Sequence, residues 1–278
     1  MNKCPICNGN SYNWDDIPNG DNLLHLLKCK DCGHGFFFPG VESKEKLLEI
    51  YDEDYADVYL PEKNSKEFEL RKIQYLADVE LLKKHIQNEV NVLDIGCSTG
   101  EFLVRMPNSW DKSGFEVNPF ELDYLKKNKP EIKLYDELNK IPENQFDIIT
   151  LRGVIEHFFD FDELFDTIKK CLKKTGQVYI CATPDFSSPC ATLYKKNWNQ
   201  IAGLKHYHHF TQSSIAFLFA KHGFGLKMLI HPYESTPYAD FNNDANKFIN
   251  NVQGSVIDTK HAYPGTMMSL LFDRRESI

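Results

Sequence analysis

From Val90 onward the chain alternates short apolar runs with longer amphipathic stretches. The runs NVLDI, KSGFEV, IKLY, FDIITL and QVYICAT have the length of strands, and helical spacing separates them. Strands alternating with helical patterns predict a parallel α/β sheet. The last two runs, FGLKMLIH and TMMSLLF, are joined by an irregular segment instead, so an antiparallel pair is expected at that edge. The fold class is therefore α/β, a doubly wound seven-stranded sheet with an antiparallel last strand.

The first 88 residues read differently. Residues 1–40 lack helical periodicity and carry Gly, Asn and Pro between two Cys pairs, a texture of hairpins and turns. Residues 41–88 read as helices. Ser43 is a candidate N-cap, and Phe68, Ile73, Leu76, Val79, Leu82 and Ile86 fall near a 3.6-residue period. The expected division is a zinc-binding ribbon at 1–40, a helical lid or linker at 41–88, and a core at 89–278 with an insertion at 232–264. That insertion is expected to shape a substrate pocket, to form a homodimer contact or to be a surface excursion.

Composition narrows the partners. The net charge of −8 gives no general attraction to polyanions, so nucleic acid is disfavoured as a partner. No apolar stretch approaches the roughly 18–20 residues of a membrane span, and MNKCPICNGN does not read as a signal peptide. A cytoplasmic location is expected. In that reducing setting the eight cysteines point to metal binding before disulfides. The pairs Cys4/Cys7 and Cys29/Cys32 are two C-x-x-C turns, the donor set of a closed tetrahedral thiolate site, which suits structural Zn2+. Cys171, Cys181 and Cys190 read as small packed residues; Cys97 stands apart because it lies in the loop discussed next.

That loop is VLDIGCSTG, at the end of the first core strand, where open parallel sheets bind ligands. Its glycines, Gly96 and Gly100 around Ser98, do not match the G-x-G-x-x-G of a dinucleotide site. Asp94 would repel a pyrophosphate and welcome an ammonium group. The D-x-G-x-x-x-G pattern resembles motif I of the class I S-adenosylmethionine-dependent methyltransferases, which have a Rossmann-like sheet. The resemblance extends over residues 90–230: Glu116 ends the second strand, Asp136 the third, an EH pair (Glu156, His157) follows the fourth, and HYHHFTQSSIAFLFAKHGF follows the fifth, with Thr211 and Gly223 as helix caps. It implies S-adenosyl-L-methionine as cofactor, held by Asp94, Gly96, Cys97, Ser98, Gly100 and Glu116. Glu116 would accept the ribose hydroxyls, and Asp136, or Tyr135 or Glu137, the adenine amino group. The commoner loop has glycine at Ser98. Tyr51, Tyr55 and Tyr59 are either a helix stripe or a lid over the cofactor, and Arg71 either pairs with the cofactor carboxylate or sits on a solvated face.

An N-terminal CxxC…CxxC before such a core is similar to zinc-containing methyltransferases of sugars and related small metabolites, and to a group of ribosomal RNA methyltransferases. The segment LRGVIEHF lacks the N/D-P-P-Y/F motif of exocyclic amine methylation, which favours an oxygen acceptor in a polar small molecule. A hydroxyl needs a general base, and His157 or a member of His206, His208 and His209 is the candidate. The tandem histidines also suggest a metal site, though no acid stands beside them in sequence. The rival readings are an RNA methyltransferase and a non-catalytic zinc-dependent interaction module.

Overall fold

The computed structural model describes residues 2–19, 22–40, 43, 46, 65–86, 89–201, 203–252 and 265–275. Tyr51, Tyr55 and Tyr59 lie outside them, as do residues 253–264 of the insertion. The described chain builds two sheets.

The smaller sheet begins as expected from the N-terminal hairpin texture. β1 (Ser11–Asn19) and β2 (Asn22–Cys29) pair antiparallel with a bulge at Trp14, and β3 (Gly35–Phe38) adds to β2. Alternation then directs the side chains. Leu24, Leu26 and Phe37 pack on Phe186, Cys190 and Trp198, while Leu27, Cys29 and Phe36 join the main core. The fourth strand of this sheet comes from the other end of the chain: β9 (His208–His209) pairs with β3 through Gly35↔His209 and Phe36↔His208.

The larger sheet has seven strands. β4 (Asn91–Ile95), β5 (Asp111–Phe115), β6 (Lys133–Tyr135), β7 (Phe146–Arg152) and β8 (Leu172–Pro184) run parallel. β11 (Met267–Arg274) lies antiparallel between β8 and β10 (Phe224–Ile230), giving the order β10-β11-β8-β7-β4-β5-β6. The chain winds outward from β4 through β5 to β6, then returns to the other side of β4 with β7. That reversal is a topological switch point, where a crevice opens at the carboxyl ends of the strands.

Helices cover the sheet where periodicity placed them: α2 (Pro119–Asn128), α3 (Phe161–Cys171) and α5 (Gln212–Lys221). Thr211 caps α5 in a reciprocal capping box with Ser214, and Gly223 follows its end at φ +88°. A short α4 (Pro189–Tyr194) follows β8, and α6 (Phe241–Val252) lies in the insertion. β8 starts before the run QVYICAT and takes in the residues from Leu172. The register with β7 skips from Phe146↔Leu172 to Ile148↔Gln177, so the extra residues form a bulge.

The expected face of α1 (Ser65–Lys83) is displaced. Ile73 and Leu76 are 50% and 48% exposed, whereas Asp78, Val79 and Leu82 are buried and Tyr75 partly so. Two of the inward positions, Tyr75 and Asp78, are polar, which hid the stripe from an apolar count. Arg152 Nε at the end of β7 donates to Asp78 Oδ2 at 2.9 Å, Gln74 donates to Asp78 Oδ1 at 3.0 Å, and the Arg152 guanidinium lies 4.3 Å from the Tyr75 ring centroid. A buried pair of this kind is costly to break from one side. Asp78→Ala is therefore expected to lower the unfolding free energy by about 3–5 kcal/mol in urea denaturation; a loss under about 1 kcal/mol would show that Arg152 is compensated elsewhere.

Candidate functional site

A cavity of about 620 Å³ opens at the carboxyl ends of β4, β5 and β7. Its lining includes Asp94, Gly96, Cys97, Ser98 and Glu116 from the sequence-derived set, Arg71, Gln74, Tyr75 and Asp78 of α1, and Pro232, Tyr233, Thr236 and Tyr238 of the insertion. The expected loop and the expected acid thus meet in one crevice, and part of the insertion walls it.

The loop after β4 is a run of left-handed residues: Gly96 at φ +73°, Ser98 at +47° and Gly100 at +72°. A Cβ on Gly96 would sit 2.7 Å from Val154 Cγ2, and one on Gly100 2.7 Å from Leu125 Cδ2. Gly100 thus serves close packing on α2 and does not line the cavity. Ser98 holds the left-handed turn despite its side chain, a conformation that costs roughly 1 kcal/mol or more. Two bonds fix it there. Its N–H donates to Glu116 Oε2 at 2.9 Å, and its Oγ donates to Glu121 Oε1 at 2.5 Å. The departure from glycine keeps the bend and adds a hydroxyl. Cys97 turns its thiol toward Gly114, where an added Cβ would meet Sγ at 2.5 Å, so it is a packing residue as well as part of the wall.

Glu116 also accepts from the N–H groups of Val117 (2.7 Å) and Asn118 (2.9 Å) at Oε1. A carboxylate has about four lone-pair sites. The three N–H groups leave acceptor capacity at Oε2 for a further donor. Asp94, only 2% exposed, accepts from Thr150 Oγ1 at 2.5 Å. Burial pushes its carboxyl up to about 7, against the Thr150 hydroxyl and Arg152. Burial and the neighbouring Glu116 push Glu121 up to about 8, and burial raises Glu116. Arg152 lines the same cavity but is committed to Asp78. The crevice is therefore a buried acidic cradle, whose carboxyls a cation would help to ionise; it fits a ligand with positive charge and hydroxyl donors, and disfavours phosphate.

The wider comparisons agree with this geometry. A family model described as a methyltransferase domain matches residues 61–227. The chain belongs to that methyltransferase family. No curated protein matches in sequence. Among solved structures, a possible histamine N-methyltransferase from Thermotoga maritima superposes with TM-score 0.56 at 17% identity, covering 83% of this chain and 100% of that one. The 1,6-didemethyltoxoflavin-N1-methyltransferase of Burkholderia thailandensis, solved with its substrate and S-adenosylhomocysteine, gives 0.55 at 11% identity, covering 96% and 100%. The plantazolicin methyltransferase BpumL, also with S-adenosylhomocysteine, gives 0.54 at 14%, covering 84% and 100%. These likenesses show the S-adenosylmethionine-dependent methyltransferase fold.

Besides Gly100, three of the predicted site residues lie outside the cavity lining. Asp136 is exposed, ion-paired with Lys140 at 3.0 Å, and outside the cavity lining, because β6 ends at the rim. His208 and His209 are buried in β9, away from the cavity. His208 Nδ1 lies 3.0 Å from His34 Nε2 among Phe161 and Tyr207, and His209 is wedged between Phe37 and Phe186. Strand pairing with the small sheet buries both rings, so neither lines the cavity. His206, two residues earlier, does line the cavity, beside Glu156 and His157. Burial, together with His206, pushes His157 down to about 3, against the Lys205 and Gly153 carbonyls. At that value it takes up a proton poorly at neutral pH. Burial pushes Glu156 up to about 7.

The cysteines converge as their spacing implied. Cys4, Cys7, Cys29 and Cys32 are free thiols with Sγ atoms within 4.8 Å of one another, and three of the pairs are at 3.3–3.7 Å. A tetrahedral ion with Zn–S of about 2.3 Å separates its sulfurs by about 3.8 Å, so the cluster fits one. Each knuckle also directs a backbone N–H at its first sulfur, Ile6 to Cys4 and Asp31 to Cys29, both at 3.4 Å.

Sequence reasoning missed Arg152 and Asp78. The only signal was an arginine closing an apolar strand in FDIITLR. The loop reading yields a direct test. Gly96→Ala is expected to cost about 2–3 kcal/mol of stability in denaturant titration, and Val154→Ala in the same chain should return part of it. An unaffected Gly96→Ala protein would contradict the close approach.

Proposed function

We propose that the chain is an S-adenosylmethionine-dependent methyltransferase that methylates an oxygen of a polar small molecule, such as a nucleotide-linked or surface-glycan sugar, and carries a structural zinc. The observation that carries the cofactor assignment is the acidic cradle of Asp94, Glu116 and Glu121 at the switch point. When bound, the cofactor supplies an electrophilic methyl on a sulfonium. Asp94 would face its positive amino-acid end, Glu116 Oε2 would take a ribose hydroxyl, and the residue 96–98 loop would shape the wall against it. Its adenine end would run toward the rim near Leu138.

The acceptor would enter past Asn199, Gln200, Tyr233 and Tyr238, amides and aromatic rings suited to a hydroxylated ring, and meet Glu156, His157 and His206. Methyl transfer needs the nucleophile in line with the methyl carbon, and placing it is the main task of these walls. The choice of a sugar rests on the family resemblance and on this polar lining. The acid lining and the charge of −8 support a small molecule over RNA.

The cofactor reading predicts a pH dependence. A carboxyl titrating at about 7 is about nine-tenths protonated at pH 6 and ionised at pH 8, and only the ionised form attracts an ammonium. S-adenosylhomocysteine affinity by calorimetry is expected to tighten up to about tenfold from pH 6 to pH 8, and Asp94→Asn should weaken it and flatten the profile. The empty protein has the opposite slope from this group. Its folded pKa is raised, so its contribution to stability is lost as pH rises from the unfolded value of about 4. A pH-independent affinity would remove Asp94 from the site. Sugar acceptors tried with the labelled methyl donor decide the acceptor, and transfer to an amine instead would replace oxygen while keeping the donor.

Zinc makes a separate prediction. Metal analysis is expected to find about one zinc per chain, and chelation should melt the ribbon at lower temperature than the core. A native, metal-free protein would contradict it.

A further inference from the structure

The sequence offered tandem histidines with no acid beside them. The fold supplies the acid. Glu156 and His157, in the turn after β7, and His206, before β9, bring one ligand atom each within 4.8 Å of one another. All three line the cavity, although His206 stands 49 residues after His157 in the chain.

Both imidazoles are oriented from behind. His157 Nδ1 lies 2.5 Å from the Lys205 carbonyl, and His206 Nδ1 lies 2.9 Å from the Gln200 carbonyl. A ring nitrogen facing a carbonyl carries the proton, which puts the His206 lone pair on Nε2; His157 also has the Gly153 carbonyl beside it. This is the support that metal-bound histidines receive from their surroundings. The ring centroids are 4.9 Å apart at 80°. Two imidazoles on one ion, with metal–nitrogen bonds of about 2.1 Å, place their centroids about 4.5–5.2 Å apart, so the rings are already at a shared-ion separation. Glu156 Oε2 accepts from Thr183 Oγ1 at 3.3 Å, which holds the carboxylate in place and leaves acceptor capacity.

We propose that Glu156, His157 and His206 bind a divalent first-row transition ion of the manganese-to-zinc series, distinct from the thiolate cluster. Two nitrogens and one carboxylate oxygen suit that series, whereas magnesium and calcium prefer all-oxygen shells. Three protein ligands leave positions open to the cavity, and an acceptor oxygen there would be polarised by the ion. That role rests on the methyltransferase reading; the site itself does not.

The test is titration of the zinc-loaded full chain with Mn2+, followed by loss of the free-ion electron paramagnetic resonance signal. About one Mn2+ per chain is expected to bind, and His206→Ala and Glu156→Gln should each weaken it at least tenfold. S-adenosylhomocysteine titration of the same variants shows that their cavities are intact. On the wild-type protein, substoichiometric Mn2+ should broaden the ring-proton resonances of His157 and His206 before those of the half-exposed His25. No binding at millimolar Mn2+, or ring resonances that survive a full equivalent, would overturn the site. Mn2+ bound normally by a chain that ignores S-adenosylhomocysteine would keep the site and remove the methyltransferase role.

Discussion

Three carboxylates, Asp94, Glu116 and Glu121, are buried around one left-handed loop, and the rest of the site depends on how that arrangement is tolerated. Buried charge is expensive unless it is bonded and balanced. The hydrogen bonds are supplied locally, by Thr150, by the Ser98 hydroxyl and by three backbone N–H groups. The balancing charge is only partly supplied, because Arg152 is drawn to Asp78. What results is a crevice with hydrogen-bonded walls and a residual preference for a cation. A sulfonium or an ammonium would complete it. On the proposed reading the loop would both position the ligand and select its charge.

The same economy appears at the other end of the cavity. β9 is only two residues long, yet it joins the ribbon sheet to the core and fixes the segment that precedes it. His206 faces the cavity because His208 and His209 are committed to the ribbon. The four-cysteine cluster is thus linked to the cavity wall at His206 through Gly35 and Phe36 and the strand they pair with.

Much of this was legible in the chain. Motif spacing placed Asp94, Gly96 and Ser98 together because the loop after β4 is a local structure, set by nearby residues; Glu116, just after β5, came from the family resemblance. The thiolate cluster was legible for the same reason, two short turns each. The failures were non-local. Nothing near HYHHF reveals that two of its histidines pair with a strand more than 170 residues earlier. The α1 face was misread because it turns Asp78 and Tyr75 inward, and a hydrophobic count cannot see a helix docked by an ion pair. Asp136 followed the family's order, but β6 is three residues long and leaves it at the rim.

The central claim is that the cradle was shaped for the methyl donor's cationic and ribose groups. A crystal structure of the chain with S-adenosylhomocysteine tests it most directly. The account predicts a ribose hydroxyl on Glu116 Oε2, the ammonium directed at Asp94, and the Ser98 and Val117 hydrogen bonds to Glu116 unchanged. A ligand bound elsewhere, or one in the crevice that leaves both carboxylates untouched, would contradict it.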